Sequence, residues 1–578
     1  MTDTISDGQI LKDTSKSYFA GSFEISRING AILTDFATIE DPYICLISIL
    51  IPVYNTPGQV LDETIQSVLT QTFQNWELCI CDDCSTLPET LEVLERYRGT
   101  DWRIKIVRAP INLNISRATN LCSEMACGEF LGFLDHDDVL EPDALEQIAA
   151  YLELDPQIDL LYTDEDKLET DGTLTEPYFK PDWSPEHLTS VMYMLHFTVV
   201  RKKLFLDLGM LRHEYSGAQD YDFALRASAH ARKVAHIPKI LYHWRKIPGS
   251  AAEVVDAKPD ALVRARLALT DFARRKDPEA EVVDGQLFGT FRVKWSAGLR
   301  PDPVTLLILT DARRRDVPGR GDILLVDHFV DSILAKSTFP NIKIVVIDNG
   351  NLPAEIRRKF EGLGIEVFSY TVSGPFNFSH KANFSFSHVK TEDVILLNDD
   401  IEVITPDWIE TLLSHSRQPE IGGVGCRLRF ADDRIQHAGM AFGLDGPTEH
   451  LFYNRPVGNP GYCGFTHLVR NFSAVTGAVF ATTMSKINEI GGFDEQLRID
   501  YNDVDVCLRL RRQGYRIVYT PFAELYHFER STAVRSAPDS SDVDFFCDRW
   551  QGFLQGDPYL NPNFIRRRDG DYYFLLSQ

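Results

Sequence analysis

The sequence predicts an α/β protein made of two domains in tandem, each built on a mostly parallel, helix-covered sheet. Apolar runs of strand length alternate with amphipathic runs of helical length. The order strand, helix, strand ending in acids, strand ending in acids then recurs after roughly 260 residues, an internal duplication at domain scale. At 578 residues the chain is also too long for one hydrophobic core.

Residues 1 to 40 form an N-terminal extension with no readable motif. The run YICLISILI (43 to 51) stops at Pro52 and suits a buried strand, followed by the turn PVYN and an amphipathic helix in LDETIQSVLTQ. WELCICDD is a strand ending in Asp82 and Asp83, RIKIVRA (103 to 109) is another, and NLNISRATN leads into a helix. EFLGFLDHDD is a further strand running into Asp135, Asp137 and Asp138. Ligands of such sheets sit beyond the carboxyl ends of the strands, where all five acids fall.

After the Arg-rich bridge RRKDPEAEVVDG the pattern restarts with strand VTLLILT, helix FVDSILAKS, strand IKIVVIDNG and strand EDVILLNDD. The boundary is placed near residues 297 to 302. This gives a first domain over 41 to 298 and a second, with a C-terminal extension, over 299 to 578.

Carboxylates packed as closely as those of FLDHDDVLEPD repel unless a cation, hydrogen bonds or open water takes up their charge. A hard divalent cation, Mg²⁺ or Mn²⁺, suits them, since it takes one or two protein carboxylates and fills its other positions with water and substrate phosphate. The rival reading is a helix N-cap at Asp138 or Asp143, before DALEQIAAYL. An EF-hand is excluded, because the loop lacks the required Gly and the terminal Glu spacing. Cys79, Cys81 and Cys84 lack a fourth zinc ligand at finger spacing and read as small buried hydrophobes.

A formal charge of -25 argues against a nucleic-acid partner. The basic islands Arg313-Arg314-Arg315 and Arg566-Arg567-Arg568, the latter followed by Tyr572, Tyr573 and Phe574, read first as solvated faces. They leave room for peripheral contact with anionic lipid. The apolar runs are too short to span a bilayer and the N-terminus MTDTISDGQI has no signal-peptide character, so a cytoplasmic location is expected, at most peripheral at the inner face of the plasma membrane.

SILIPVYN, Asp82-Asp83, NISRATN, the DHDD cluster, YTDEDKL and PYFKPDWSPE together resemble the family 2 glycosyltransferases, which have the GT-A fold, a Rossmann-like and mostly parallel sheet. The second half is similar to a related branch found in bacterial O-antigen and capsule assembly, through NFSHKANFS, LLNDDIEV, RIQHAGMAFG, AVTGAVFATT, GGFDEQLRIDYNDVDVCLRLRRQGYRIVYTP and LYHFERS. The resemblance implies nucleotide-sugar binding by Pro52, Tyr54, Asn55, Asp82, Asp83, Arg117 and Asp135, and in the second half by Asp348, Asn377, Asn383, Asn398 and Asp399. It implies a divalent metal, Mn or Mg, held by Asp135, Asp137 and His243, and again by Asp399, Asp400 and His527, with Arg245 and Lys246 towards the diphosphate.

It also places the catalytic base on an acidic pair at a helix start. The first pair reads Gln219-Asp220, giving Asp220 as base with Asp222 in reserve, and the second reads Asn502-Asp503, giving Asp503. The implied reaction is inverting transfer of a hexosyl or deoxyhexosyl group from a UDP- or dTDP-sugar to a growing, lipid-linked bacterial surface glycan. Two departures stand out in the second half: LLILTDARRRDVPGRGD lacks the usual Pro turn, and IDNG offers only Asp348. A Gln-x-x-Arg-Trp signature of processive synthases is approached only by Phe546-Cys547-Asp548-Arg549-Trp550.

The alternative is one active domain beside a glycan-binding or scaffolding module. A sugar-nucleotide nucleotidyltransferase is disfavoured, since PVYNTPGQ is no Gly-rich triphosphate loop. A dehydrogenase is disfavoured because Gly423 and Gly425 are followed by Leu428 where a third Gly belongs.

Overall fold

The computed structural model describes residues 45–247, 259–372, 374–443, 446–528, 539–566 and 572–574. The N-terminal extension and Arg567 and Arg568 of the basic run lie outside the described residues.

The first sheet is formed by β1 (Ile47–Val53), β2 (Trp76–Asp82), β3 (Ile104–Arg108), β4 (Phe130–Phe133), β5 (Val139–Leu140), β6 (Ile158–Leu168), β7 (Leu174–Tyr178), β8 (Thr198–Arg201) and β9 (Lys233–Arg245). Its order is β3-β2-β1-β4-β8-β6-β9-β5, with β7 on the edge of β6. The strands β3, β2, β1 and β4 run parallel, whereas β8 is antiparallel to both β4 and β6. β1 and β2 are buried at every residue, which explains why they read as largely apolar runs without polar alternation, with Ser48 bonded to Glu77 where the run is broken.

The second sheet repeats this order strand for strand: Glu366–Ser369, Ile342–Asp348, Val304–Leu309, Asp393–Asn398, Val479–Thr483, Ile421–Arg429, Arg516–His527 and Ile401–Val403. The duplication expected from the sequence is therefore a duplication of topology. Where the first sheet passes from β1 through PVYN into a helix, the second inserts the hairpin Arg314–Val317 and Gly321–Leu324. Arg314 of the basic island pairs across that hairpin with Asp322 at 2.9 Å.

Both sheets belong to one compact unit from Ile44 onward, and the seam between them combines aromatic contacts such as Tyr178 on Tyr462 and His187 on Phe465 with polar ones. Arg516 grips the carboxylate of Glu186 at 3.0 and 2.8 Å, and Asn471 Nδ2 donates to Glu186 Oε2 at 2.6 Å. Tyr462 donates to Pro177 O and accepts from Phe179 N–H. The segment after the last helix, Ser540–Trp550, reaches back to the first sheet, where Asp182 N–H donates to Pro558 O at 2.8 Å. No described helix is long and apolar enough to cross a membrane.

Candidate active site

A cleft of about 590 Å³ opens at the carboxyl ends of the first sheet's strands. Pro52, Val53 and Tyr54 line it from the end of β1, Asp83 from just beyond β2, and Asp135 and His136 from the turn after β4. His196 enters from the segment before β8, Gln219 and Asp220 from the start of the helix Gln219–His230, and Trp244 from β9.

The acids of this turn have distinct surroundings. Asp138 is fully buried, accepting the Tyr242 hydroxyl and, at 2.8 Å, the Arg245 N–H, and burial together with Asp137 and Asp135 pushes its carboxyl well up. Asp135 stays partly open to the cleft. His196 Nε2 lies 3.8 Å from Asp135 Oδ2, and its ring stacks on Tyr242 at 4.6 Å. Burial opposes a charge on this imidazole, but Glu165, Asp135 and Asp138 outweigh it and lift its pKa to about 9. Ligand atoms of Asp135, Asp138 and His196 converge within 4.8 Å of one another. Both Asp138 oxygens are already engaged, so Asp135 and, once its proton is displaced, His196 are the groups that could hold a Mg²⁺ or Mn²⁺ ion otherwise coordinated by water and phosphate.

The geometry places several expected ligands elsewhere. His243 Nδ1 sits 2.6 Å from Asp166 and its Nε2 3.4 Å from Glu141, on the strand face away from its cleft-lining neighbour Trp244. Strand alternation is the reason: consecutive residues of β9 point to opposite faces. The Asp137 carboxylate lies 3.8 Å from His136 and outside the converging set. Arg245 is spent on Asp137 O and Glu63, and Lys246 on Glu169 and Glu176, so neither is poised towards a diphosphate. Asp143 precedes the helix Ala144–Leu154 without a side-chain capping bond.

Asp220 is the second residue of its helix, and Gln219 beside it accepts the Gly217 N–H at 2.6 Å. Burial raises the Asp220 carboxyl, with the Tyr221 N–H and His196 working against that rise. Asp222, the reserve base, is buried and locked by Arg212 and Arg226, so it is not available for proton transfer. Asn55 holds the chain at Thr86 N–H and Leu87 N–H (2.7 and 2.9 Å), and Asp82 accepts Ser85 N–H and faces Arg108. These two shape the loop around the cleft rather than line it. Arg117 is exposed on the helix Asn114–Met125, whose Ile115 and Ala118 do line the cleft.

In the second sheet Asp399 accepts the Thr310 hydroxyl at 2.5 Å, and burial and Asp400 raise its carboxyl to about 6. Burial would also raise Asp400, but His527, 3.2 Å away, and Arg315 at 3.7 Å hold it below its usual range. Burial lowers Lys381, which donates to Thr310 O and Asn349 Oδ1, to about 8. Asp503, again second in its helix, accepts Gly477 and Val504 N–H groups, each at 2.8 Å.

Asn377 caps the helix Phe378–Phe386, Asn383 ties that helix to Phe493 and Glu495, and Asp348 binds Leu352 N–H and Arg357. Their side chains are therefore committed to structure. Trp550 of the near signature donates to Asp505 at 3.0 Å from a buried position.

Residues 48–209 match the family described as Glycosyl transferase family 2, and residues 317–550 match Glycosyltransferase like family 2. The chain belongs to the family 2 glycosyltransferases. Among relatives of this tandem family 2 chain, uncharacterized protein y4gI of Sinorhizobium fredii is 37% identical over 545 residues, covering 92% of this chain and 58% of the relative. O-antigen biosynthesis protein RfbC of Myxococcus xanthus is 34% identical over 532 residues, covering 90% and 40%. The chain thus spans about half the length of these two curated relatives. Chondroitin synthase of Pasteurella multocida is 35% identical over 209 residues, 36% of this chain and 21% of the synthase.

Sequence reasoning missed His196, Glu165 and Lys180 of this family 2 chain. His196 hides in the apolar stretch VMYMLHF, and only the pairing of β8 with β4 brings it beside Asp135. Glu165 and Lys180 sit within YTDEDKL and PYFKPDW, which were legible as motifs but not as partners.

Proposed function

We propose that the first domain, over residues 41 to 298, transfers a sugar with inversion from a UDP- or dTDP-sugar to a growing surface glycan, and that the second, from 299 onward, does so as well. The observation that carries the reading is that Asp135, His196 and Asp220 share one cleft with Asp83 and the end of β1. Asp83 and Tyr54 would hold the nucleoside, while Asp135 and His196 would hold Mg²⁺ or Mn²⁺ against the diphosphate. Bound there, the ion would supply Lewis-acid stabilisation of the leaving group, worth several kcal/mol.

Asp220 would take the proton from the acceptor hydroxyl as the new carbon–oxygen bond forms at the anomeric carbon and the bond to phosphate breaks. A carboxyl lifted by burial suits that task, because a base works best with a pKa close to the ambient pH. Asp503 would serve the second domain in the same way, with Asp400 and His527 as its metal candidates.

The names of relatives in O-antigen and chondroitin synthesis support a glycan acceptor, which we take to be lipid-linked and met by a cytoplasmic, peripherally associated enzyme. A second reading, with the second domain as a glycan-binding scaffold, is favoured by its differing acid set. The test is nucleoside diphosphate release from a panel of nucleotide sugars with Mn²⁺, using the intact chain and Asp220→Asn and Asp503→Asn variants. Loss of a different product in each variant supports two transferases. No effect of Asp503→Asn supports the scaffold, and no release at all removes the enzymatic reading.

A further inference from the structure

We propose that the C-terminal segment of the chain completes the first-domain site, with Asn561 and Lys180 acting as positioning residues for His196. This rests on the reading of Asp135 and His196 as metal ligands given above.

Asn561 Nδ2 donates to Asp164 Oδ2 at 2.8 Å and to Lys180 O at 2.9 Å. Asp164 in turn accepts the Lys180 N–H at 2.8 Å and faces His236 Nε2 at 2.9 Å. The Lys180 side chain is fully buried, and its ammonium donates to Glu165 Oε2 at 3.0 Å, to Met194 O at 2.7 Å and to His196 O. Glu165 Oε2 also accepts the His196 N–H at 2.9 Å and lies 3.4 Å from His196 Nδ1. A continuous set of buried contacts thus runs from the far end of the chain to the imidazole that faces Asp135.

A buried Lys–Glu pair gives little net stability over an apolar pair of similar volume, so stability does not explain it. What it does is fix geometry. Lys180 holds the backbone at Met194 and His196 while Glu165 holds the imidazole from its other side, which is how outer partners orient a metal-binding histidine. Among the described residues Asn561 is the one beyond residue 300 that bonds Asp164 and Lys180, and Asn563 Nδ2 holds Asn561 Oδ1 at 2.9 Å. The first site is then built from both halves of the chain.

The experiment is Mn²⁺ binding followed by electron paramagnetic resonance on the full chain in an Asp400→Asn background, so that the first-domain site reports. Asn561→Ala is expected to weaken binding about 10- to 100-fold, the range for lost outer-shell partners, with unchanged far-ultraviolet circular dichroism. Asn561→Ser, which keeps one donor, should recover part of the affinity. Lys276→Met, which removes a different contact between the halves, at Glu420 (3.0 Å), should leave it unchanged.

A folded Asn561→Ala chain that binds Mn²⁺ as tightly as its parent overturns the inference alone. If that variant does not fold, unchanged affinity in Asn561→Ser overturns it equally. A parent chain that binds no Mn²⁺ removes the metal reading of Asp135 and His196, and this inference with it.

Discussion

Asn398 donates its backbone N–H to the carbonyl of Ala478 at 3.0 Å. Strand register gives this bond its meaning. Leu50 pairs with Phe133 and Leu307 with Leu396, so Asn398 stands two residues on where Asp135 stands in the first sheet. Likewise Gly132 pairs with Val199 and Ile395 with Ala481, which puts Ala478 in the place of His196. The two sites share a scaffold but differ in the side chains at two key positions.

Different requirements should follow at the two sites. His196→Ala is expected to raise the Mn²⁺ concentration needed by the first-domain reaction about 10- to 100-fold while leaving the second-domain product untouched. Asp400→Asn should do the reverse. Product analysis across a metal titration checks both.

Asp220→Asn keeps the size of the side chain and removes its basicity. Acceptor-dependent turnover at the first site should fall about 10²- to 10⁴-fold, with donor affinity, measured by calorimetry, little altered.

Arg516→Met leaves the Glu186 carboxylate at the seam with Asn471 as its remaining side-chain partner. Removing one partner of a fully buried pair costs about 3–5 kcal/mol, and with Arg516 about a quarter exposed and Asn471 still in place the loss should fall below that range. The urea midpoint should drop accordingly with the slope unchanged, and Glu186→Gln combined with Arg516→Met should recover part of the loss.

Burial lowers His415, on the helix Trp408–Ser416, to about 4. The unfolded chain takes up its proton near pH 6.5 whereas the folded chain does not, so the unfolded state binds more protons between those limits. Stability should therefore fall as pH drops from 6.5 towards 4. Denaturation midpoints at pH 7.5, 6 and 5 test this, and His415→Gln should flatten the profile.

Much of the fold was legible because strands buried on both faces are mostly apolar, as in ISILIPV and WELCICD, where Ser48 and Glu77 are buried against each other and Asp82 closes the strand. The base candidates Asp220 and Asp503 rest on the family resemblance, and each does stand second in a helix. The antiparallel strand β8 was not, since TVVR is too short to announce its direction, and with it went His196. His243 was misplaced towards the cleft because one residue of strand register decides which face a side chain takes, and HWR reads the same from either side. Asn561 could not be read at all, for its partner Lys180 lies 381 residues away.

The hydrogen-bonded seam between the sheets has a mechanical consequence. Its donors and acceptors at Glu186, Asn471 and Arg516 satisfy one another across the closed seam, and a hinge opening there would trade these bonds for bonds to water. The seam thus favours one spacing of the two sheet edges that carry the acids, like the jaws of a set gauge. A growing polymer served by both would have to shuttle between stations that do not come to meet it.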